Sequence, residues 1–464
     1  MSSVFFAIPS RTRIAVARPG VLAVWLVTLL AASLAAQAQD PAPPGGAKAA
    51  DTRQAEDERA DGKQAGAKPD SQVPLEEIRR YVTVYNTVKQ AYVEPVDDRK
   101  LMQSAIRGLL LDLDPHSAYL VRSDAQSLEE DSSGAYDGIG VDVQVQPDGT
   151  ILVIAPIDDT PAARAGVRPG DLIIAIDGKP LTPESLGDNP LRGEPGSSTV
   201  LSVQREGQAK PLDITVKRET IRISSVRGRM LEPGYGYIRI SAFQADTAND
   251  FVRQLDELSA QAGADKRLRG LVLDLRSNPG GLLTAAVQIA DELLEKGGIV
   301  STRGRNPVVD TVFNATAGDR LRGAPVVVLV DAGSASASEV LAAALRDNGR
   351  ARVVGSRTFG KGSVQTVLPL DNGDAVKLTT ARYYTPNGRS IQARGIDPDI
   401  VLKPEGARSA GRYSESALPG HLRGDQEAAG QGVGDVLDGD APITAALGVL
   451  KTQGNKPLAA SAKP

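Results

Sequence analysis

The chain has 464 residues, with 53 Lys and Arg against 57 Asp and Glu and a formal net charge of -4. That is room for two or three domains, without the basic excess of a nucleic-acid-binding protein. It has no cysteine and two histidines, His116 and His421, so disulfides, a thiol nucleophile and thiolate or His-rich metal sites are excluded. Any histidine-dependent mechanism must use one of those two residues.

The N-terminus reads as an export signal. Arg11, Arg13 and Arg18 precede an apolar run from Val21 to Leu34, and the small-x-small site Ala36-Gln37-Ala38 follows, in the order of a signal peptide's three regions. The run is short against the roughly 20 residues of a membrane span. This favours a cleaved signal over 1–38 and an exported, periplasmic protein; an uncleaved inner-membrane anchor is the alternative. Residues 39–73 are rich in Ala, Gly, Pro, Asp, Lys and Gln without apolar periodicity, and read as a disordered linker.

From 74 to 125 the pattern is helical. Ile78, Val82, Tyr85, Val88 and Tyr92 recur near a 3.6-residue period, then Leu101, Ile106, Leu109 and Leu110, with Pro95 between the two runs. Residues 137–218 change to short alternating strands at 141–145, 151–154, 172–176 and 199–203, separated by turns such as Asp148-Gly149 and Pro169-Gly170. From 221 to 403 strands alternate with helices: strands at 236–240, 270–275 and 326–330, helices at 246–260, up to Leu294, and 336–346. The fold class is therefore α/β multidomain: a helical segment, a β-rich module, then a mixed α/β core of a layered sheet with packed helices. Residues 404–464 read as a flexible, Gly-rich tail in which 442–450 can form a terminal helix.

Four stretches can carry chemistry. Gly333-Ser334-Ala335-Ser336-Ala337-Ser338-Glu339 joins an apolar strand to an Ala-rich helix. A serine there has small neighbours and the free N–H groups of a helix start beside it, suited to a nucleophile and an oxyanion. Ser336 with Glu339 is equally a capping box. Lys361 lies between Gly360 and Gly362, with no acidic residue until Asp371. Burial would lower its pKa toward that of a base, and Gln365 is spaced to orient the amine. A solvated loop lysine is the plain alternative; a phosphate loop would need Ser or Thr where Gly362 stands. Asn278-Pro279-Gly280-Gly281 ends a strand in a tight turn, so Gly280 or Gly281 can supply one oxyanion N–H and Ala337 the other, or the segment is only a turn. Gly138-Ile139-Gly140-Val141 can hold a peptide carboxylate on successive N–H groups ahead of a strand that accepts an extended peptide, or is a simple glycine turn.

In combination these residues resemble the carboxyl-terminal processing peptidases, or tail-specific proteases, of Gram-negative type. Leu113-Asp114-Pro115-His116-Ser117 looks like the segment before that family's PDZ domain. Gly138–Val141 and Ala165–Asp171 look like PDZ landmarks, and Gly333–Glu339 looks like the nucleophile motif with Ser336 as its serine. The family's lysine falls on Lys361 and its glutamine on Gln365; Ile396–Asp399 and Ser414–Leu422 look like its closing motifs. The resemblance implies a Ser–Lys endopeptidase without metal or cofactor. Its PDZ domain would gate cleavage of proteins and peptides with accessible C-termini, and the enzyme would be a dimer or higher homo-oligomer. Some members work with a helical-repeat lipoprotein adaptor. The competing readings are a non-catalytic envelope scaffold that binds C-terminal peptides, and a trypsin-like protease, which needs a histidine ahead of its serine.

Overall fold

The computed structural model describes residues 73–183, 185, 190–404, 414–425 and 434–453. The export-signal segment, and the linker up to residue 72, lie outside them. The described residues fall into two compact units divided between Gln103 and Ser104.

The first unit holds α1 (Leu75–Ala91) and the start of α2 (Asp98–Leu111). Glu76 and Glu77 sit in the first turn of α1 and Lys89 in its last, as the helix dipole favours. Asp98 accepts from the Tyr85 hydroxyl at 2.8 Å and pairs with Lys89 at 2.7 Å. The apolar side chains of Leu75, Ile78, Tyr81, Val82 and Val88 remain exposed.

The second unit continues through the Asp114 turn to β1 (Ala118–Leu120), α3 (Arg122–Ser133) and β2 (Ala135–Gly138). The β-rich module follows as β3 (Val141–Val145), β4 (Ile151–Pro156), α4 (Pro161–Arg164), β5 (Leu172–Ile176), β6 (Lys179–Pro180), β7 (Ser198–Gln204), β8 (Leu212–Lys217) and β9 (Glu219–Arg222). β9 pairs antiparallel with β2, Gly138 opposite Glu219, so the strands entering and leaving the module close on each other. Between them the sheet order is β3-β4-β5-β7-β8, with β6 beside β5, over a core that includes Ile139, Ile151, Ile173, Leu201 and Val216. β3 ends this sheet, and its outer edge carries no strand among the described residues.

The core then runs β10 (Val226–Glu232), β11 (Tyr235–Ile240), α5 (Thr247–Gln261), β12 (Gly270–Asp274), α6 (Leu283–Leu293), β13 (Gly298–Gly304), β14 (Thr311–Asn314), β15 (Val326–Val330), α7 (Ala337–Asp347), β16 (Ala351–Gly355), β17 (Ser363–Pro369), β18 (Ala375–Tyr384) and β19 (Ile400–Val401). The main sheet is ordered β10-β11-β12-β15-β16-β19 and is parallel except for the β10–β11 pair. A second, antiparallel sheet is ordered β1-β18-β13-β14, with β17 on β18.

β15 shows why an unbroken apolar run belongs in the main sheet: both of its faces are covered. Val326, Val328 and Val330 pack into the cluster with α5, α6 and α7, while Val327 and Leu329 pack into a second cluster with Ile443, Ala446 and Leu450. Each such fully buried side chain contributes roughly 1.5–3 kcal/mol relative to exposure.

Those last three residues belong to α8 (Ala441–Gln453), which spans the 442–450 stretch expected to be able to form a terminal helix; the described stretches of 404–464 are packed against the core rather than loose. α8 covers one face of the main sheet. Upstream, Leu437 and Gly439 carbonyls accept from Arg276 at 2.9 and 3.0 Å, and Leu437 N–H donates to Asp331 at 3.2 Å. The segment 434–439 thus lies against the loops at the carboxyl ends of β12 and β15, the end of a parallel sheet where ligands bind.

Candidate active site

Ser336 is the N-cap of α7, at the turn that follows β15. Its φ of 54° and ψ of -115° place a non-glycine residue in a sparsely populated region, which costs about 1–3 kcal/mol and persists only where surroundings enforce it. The enforcement is visible. Ala335 N–H and the Ser338 hydroxyl both donate to the Asn278 carbonyl at 3.0 Å, and the Ser334 hydroxyl donates to the Leu275 carbonyl at 2.8 Å. Ser334 and Ser338 are therefore pinned to the β12–α6 turn. Ser336 sits between them, 8% exposed, and its hydroxyl makes no cap hydrogen bond of normal geometry although the capping-box arrangement is present.

The other half of that box does more than cap. Glu339 is fully buried. Its Oε2 accepts from Ser336 N–H at 2.8 Å and from Lys361 N–H at 2.9 Å; its Oε1 accepts from Gly360 N–H at 2.8 Å and from the Thr358 hydroxyl. Burial pushes its carboxyl up to about 7 against the pull of these donors. One carboxylate therefore joins the turn bearing Ser336 to the loop bearing Lys361.

Lys361 lies in the loop between β16 and β17. Burial pushes its pKa below the ordinary lysine value and the nearby Lys377 adds to the effect, while Glu415, Glu339 and Asp114 oppose it. Gly362 is required beside it, since a Cβ there would lie 2.2 Å from the Gln392 nitrogen. No hydrogen bond joins the side chains of Ser336 and Lys361 to each other, and Gln365 is not bonded to Lys361 either. The Gln365 amide nitrogen instead donates to the hydroxyls of Ser363 and Thr379 at 3.0 and 3.3 Å. Such contacts are commonly loose without substrate.

Gly280 carries a φ of 99°, and a Cβ on it would lie 2.8 Å from that of Ser336, so the turn closely approaches the serine. The oxyanion assignment is narrowed, however. Gly280 N–H donates to Asn278 Oδ1 at 2.9 Å and is occupied. The N–H groups of Ala337 and Gly281 have no hydrogen-bond partner among the described residues.

The Gly138–Val141 stretch joins β2 to β3. Its carbonyls are held by α4 and the loop before it: Ile139 O accepts from Ala162 N–H at 2.8 Å, and Gly140 O from Ile157 N–H at 3.0 Å and the Thr160 hydroxyl at 2.8 Å. Beside Gly138 lies Arg192, which no motif in the sequence marks as part of a site. Its guanidinium stacks 3.9 Å from the Tyr136 ring centroid and pairs with Glu130 at 2.9 Å, leaving one terminal nitrogen buried without a partner among the described residues. His116 pairs with Glu415 at 2.8 Å and His421 meets the Leu418 carbonyl at 3.0 Å; neither is bonded to Ser336.

Comparison with known proteins agrees in order along the chain. Residues 45–124 match the activating protease CtpB N-terminal domain, 152–205 a PDZ domain and 234–402 Peptidase family S41. A carboxy-terminal-processing protease of Bartonella bacilliformis is 43% identical over 76% of this chain and 82% of its own length. The carboxy-terminal processing proteases CtpB and CtpA of Bacillus subtilis are 37% and 36% identical, over 70% and 68% of this chain and 68% and 67% of their own. A solved structure named photosystem II D1 C-terminal processing protease is 31% identical over 72% of this chain and 94% of that chain, with a TM-score of 0.41. The chain belongs to the carboxy-terminal processing serine peptidases, with a PDZ domain ahead of a Peptidase family S41 core.

Proposed function

We propose that Ser336 is the nucleophile and Lys361 the general base of this peptidase. The observation that carries the reading is the shared Glu339 oxygen under both backbones, together with the burial of the Lys361 amine. A neutral Lys361 takes the Ser336 proton as Oγ attacks the scissile carbonyl, and the oxyanion rests on the N–H groups of Ala337 and Gly281. The Lys361 ammonium returns the proton to the leaving amine. It then takes one from the water that hydrolyses the acyl-enzyme. Gln365 orients the amine through its amide oxygen, which the Ser363 and Thr379 contacts leave free.

The C-terminal carboxylate of the substrate binds the 138–141 loop, and its last residues add as a strand to the open edge of β3. The positive Arg192 beside the loop supports this reading. So do the exposed apolar residues of α1 for a homo-oligomer, and the first 38 residues for export and cleavage after Ala38, with work in the periplasm. Among the described residues no helix is long and apolar enough to cross a membrane. A lipoprotein adaptor is compatible with this placement. The domains follow as helical segment 74–125, PDZ domain 137–218 and protease core 221–403.

Labelling with a fluorophosphonate probe and mapping the adduct tests the nucleophile. The adduct is expected on Ser336, and an adduct on Ser334 or Ser338 would refute the assignment.

A further inference from the structure

Residues from separate parts of the chain converge on the Lys361 loop. Gly362 N–H donates to Gln392 Oε1 at 3.0 Å. Gln392 Nε2 in turn donates to Glu415 Oε1 at 2.9 Å and to the Leu422 carbonyl at 3.0 Å. Glu415 Oε2 meets His116 Nε2 at 2.8 Å, and Glu415 N–H donates to the Phe359 carbonyl at 2.9 Å. The segment 414–422 thus holds the loop on both sides of Lys361, directly at Phe359 and through Gln392 at Gly362.

The network continues past His116. Asp114 accepts from the N–H groups of His116 and Ser117 at 2.8 and 2.9 Å and from the hydroxyls of Ser117 and Thr379 at 2.7 and 3.1 Å. Thr379 is the residue that receives the Gln365 amide. Glu415 is fully buried and Gln392 nearly so. A carboxylate in such a place costs free energy unless paired, and well-packed apolar side chains would often serve stability as well. Retaining it is better explained by what it does to the loop.

We propose that Glu415 is a positioning residue for the catalytic loop: its carboxylate and backbone N–H fix the chain on both sides of Lys361 and set one negative charge near the amine. This rests on the Ser336–Lys361 reading above. The charged groups around the amine are Lys377 on β18, Glu339 on α7, Asp114 before β1, and Glu415 with its neighbour His116. Because Glu415 favours the ammonium form, removing its charge lowers the Lys361 pKa further and moves the acid limb of kcat/KM to lower pH. Loosening the loop lowers kcat.

The test is steady-state cleavage of an apolar-tailed peptide across pH by the full chain carrying Glu415→Gln or Glu415→Ala, with Lys361→Ala alongside and thermal melting of each. Glu415→Ala is expected to lose about 10²-fold in kcat, the scale of an ångström misplacement, with KM changed by no more than about twofold. The isosteric Glu415→Gln retains more activity and shows the acid limb displaced downward; it decides the matter if the alanine variant fails to fold. Wild-type kcat and pH profile in both folded variants overturn the proposal. So does lost activity in Glu415→Ala with no movement of the limb in Glu415→Gln, which marks a merely structural role. Activity in Lys361→Ala would instead remove the reading beneath it.

Discussion

The backbone N–H groups of Ser336 and Lys361 end on the same atom, Oε2 of Glu339, at 2.8 and 2.9 Å. Residues 25 positions apart in the chain are thereby registered through one buried carboxylate.

Glu339→Gln tests that registration. An amide keeps the shape but turns one acceptor oxygen into an NH2, which then faces two donors. A buried donor left without its acceptor costs about 1–3 kcal/mol, so the melting temperature should fall and kcat with it, by about 10²-fold. Wild-type kcat in Glu339→Gln, measured on a peptide substrate, would show that the shared oxygen is dispensable.

The flanking serines separate stability from chemistry. Ser334 bridges the Leu275 carbonyl and the Asp331 N–H at 2.8 and 2.9 Å, and Ser338 holds the Asn278 carbonyl at 3.0 Å. Ser334→Ala and Ser338→Ala should each lower stability by about 1–3 kcal/mol, seen in denaturant unfolding, yet keep measurable cleavage. Ser336→Ala should unfold near wild type and cleave nothing.

The pH dependence has a definite sign. Lys361 acts as a base only when neutral, and burial followed by Lys377 lowers its pKa. Activity should therefore rise with pH through an acid limb below the ordinary lysine range. Lys377→Met removes a positive neighbour and should displace that limb to higher pH. A limb unmoved in kcat/KM profiles would detach it from Lys361. In stability terms the unfolded chain binds the proton that folded Lys361 releases, so stability contributed by this group increases with pH between the lowered value and 10.5, the reference value for lysine.

Arg192 provides a test of the peptide site. Arg192→Ala should weaken binding of a peptide with a free C-terminal carboxylate, by about tenfold or more for a charge-assisted contact of about 1.5–3 kcal/mol, measured by titration on the Ser336→Ala protein. A C-terminally amidated peptide should bind weakly to both forms. Equal affinity of the two peptides for the unaltered loop would rule out carboxylate recognition there.

Export leaves an optical signature. Trp25 is the only tryptophan and lies inside the segment proposed to be removed. Protein purified from the exported fraction should emit as tyrosine alone, and tryptophan emission would contradict cleavage.

Much of this was legible in the sequence for reasons that can be named. β15 is an unbroken apolar run, and β12 is apolar from Leu271 to Leu273, because both faces of their sheet are covered, and that signal is local. The half-exposed strands β17 and β18, with sequences such as Ser363-Val364-Gln365-Thr366-Val367, mix polar residues into both faces and give no such run. Ser336 and Glu339 are readable as a capping box because the pair is three residues apart. That the same carboxylate reaches Lys361 depends on how the chain returns, which no local pattern encodes. Gly280 and Gly281 are indistinguishable as N–H donors in the sequence; that the Gly280 N–H is taken by Asn278 Oδ1 depends on the folded turn. Glu415 and Gln392 are charged or polar residues in turn-rich surroundings, and no local pattern marks them as buried. Their burial comes from the segment 414–425 folding back onto residues of the core, a long-range contact that composition does not encode.

The most direct measurement is cleavage of an apolar-tailed peptide by Ser336→Ala and Lys361→Ala, each confirmed as folded by its melting curve. The account predicts that Ser336→Ala loses cleavage altogether and that Lys361→Ala loses at least about 10²-fold, the general-base contribution lying in the range 10²–10⁴. Wild-type turnover in either variant would contradict it.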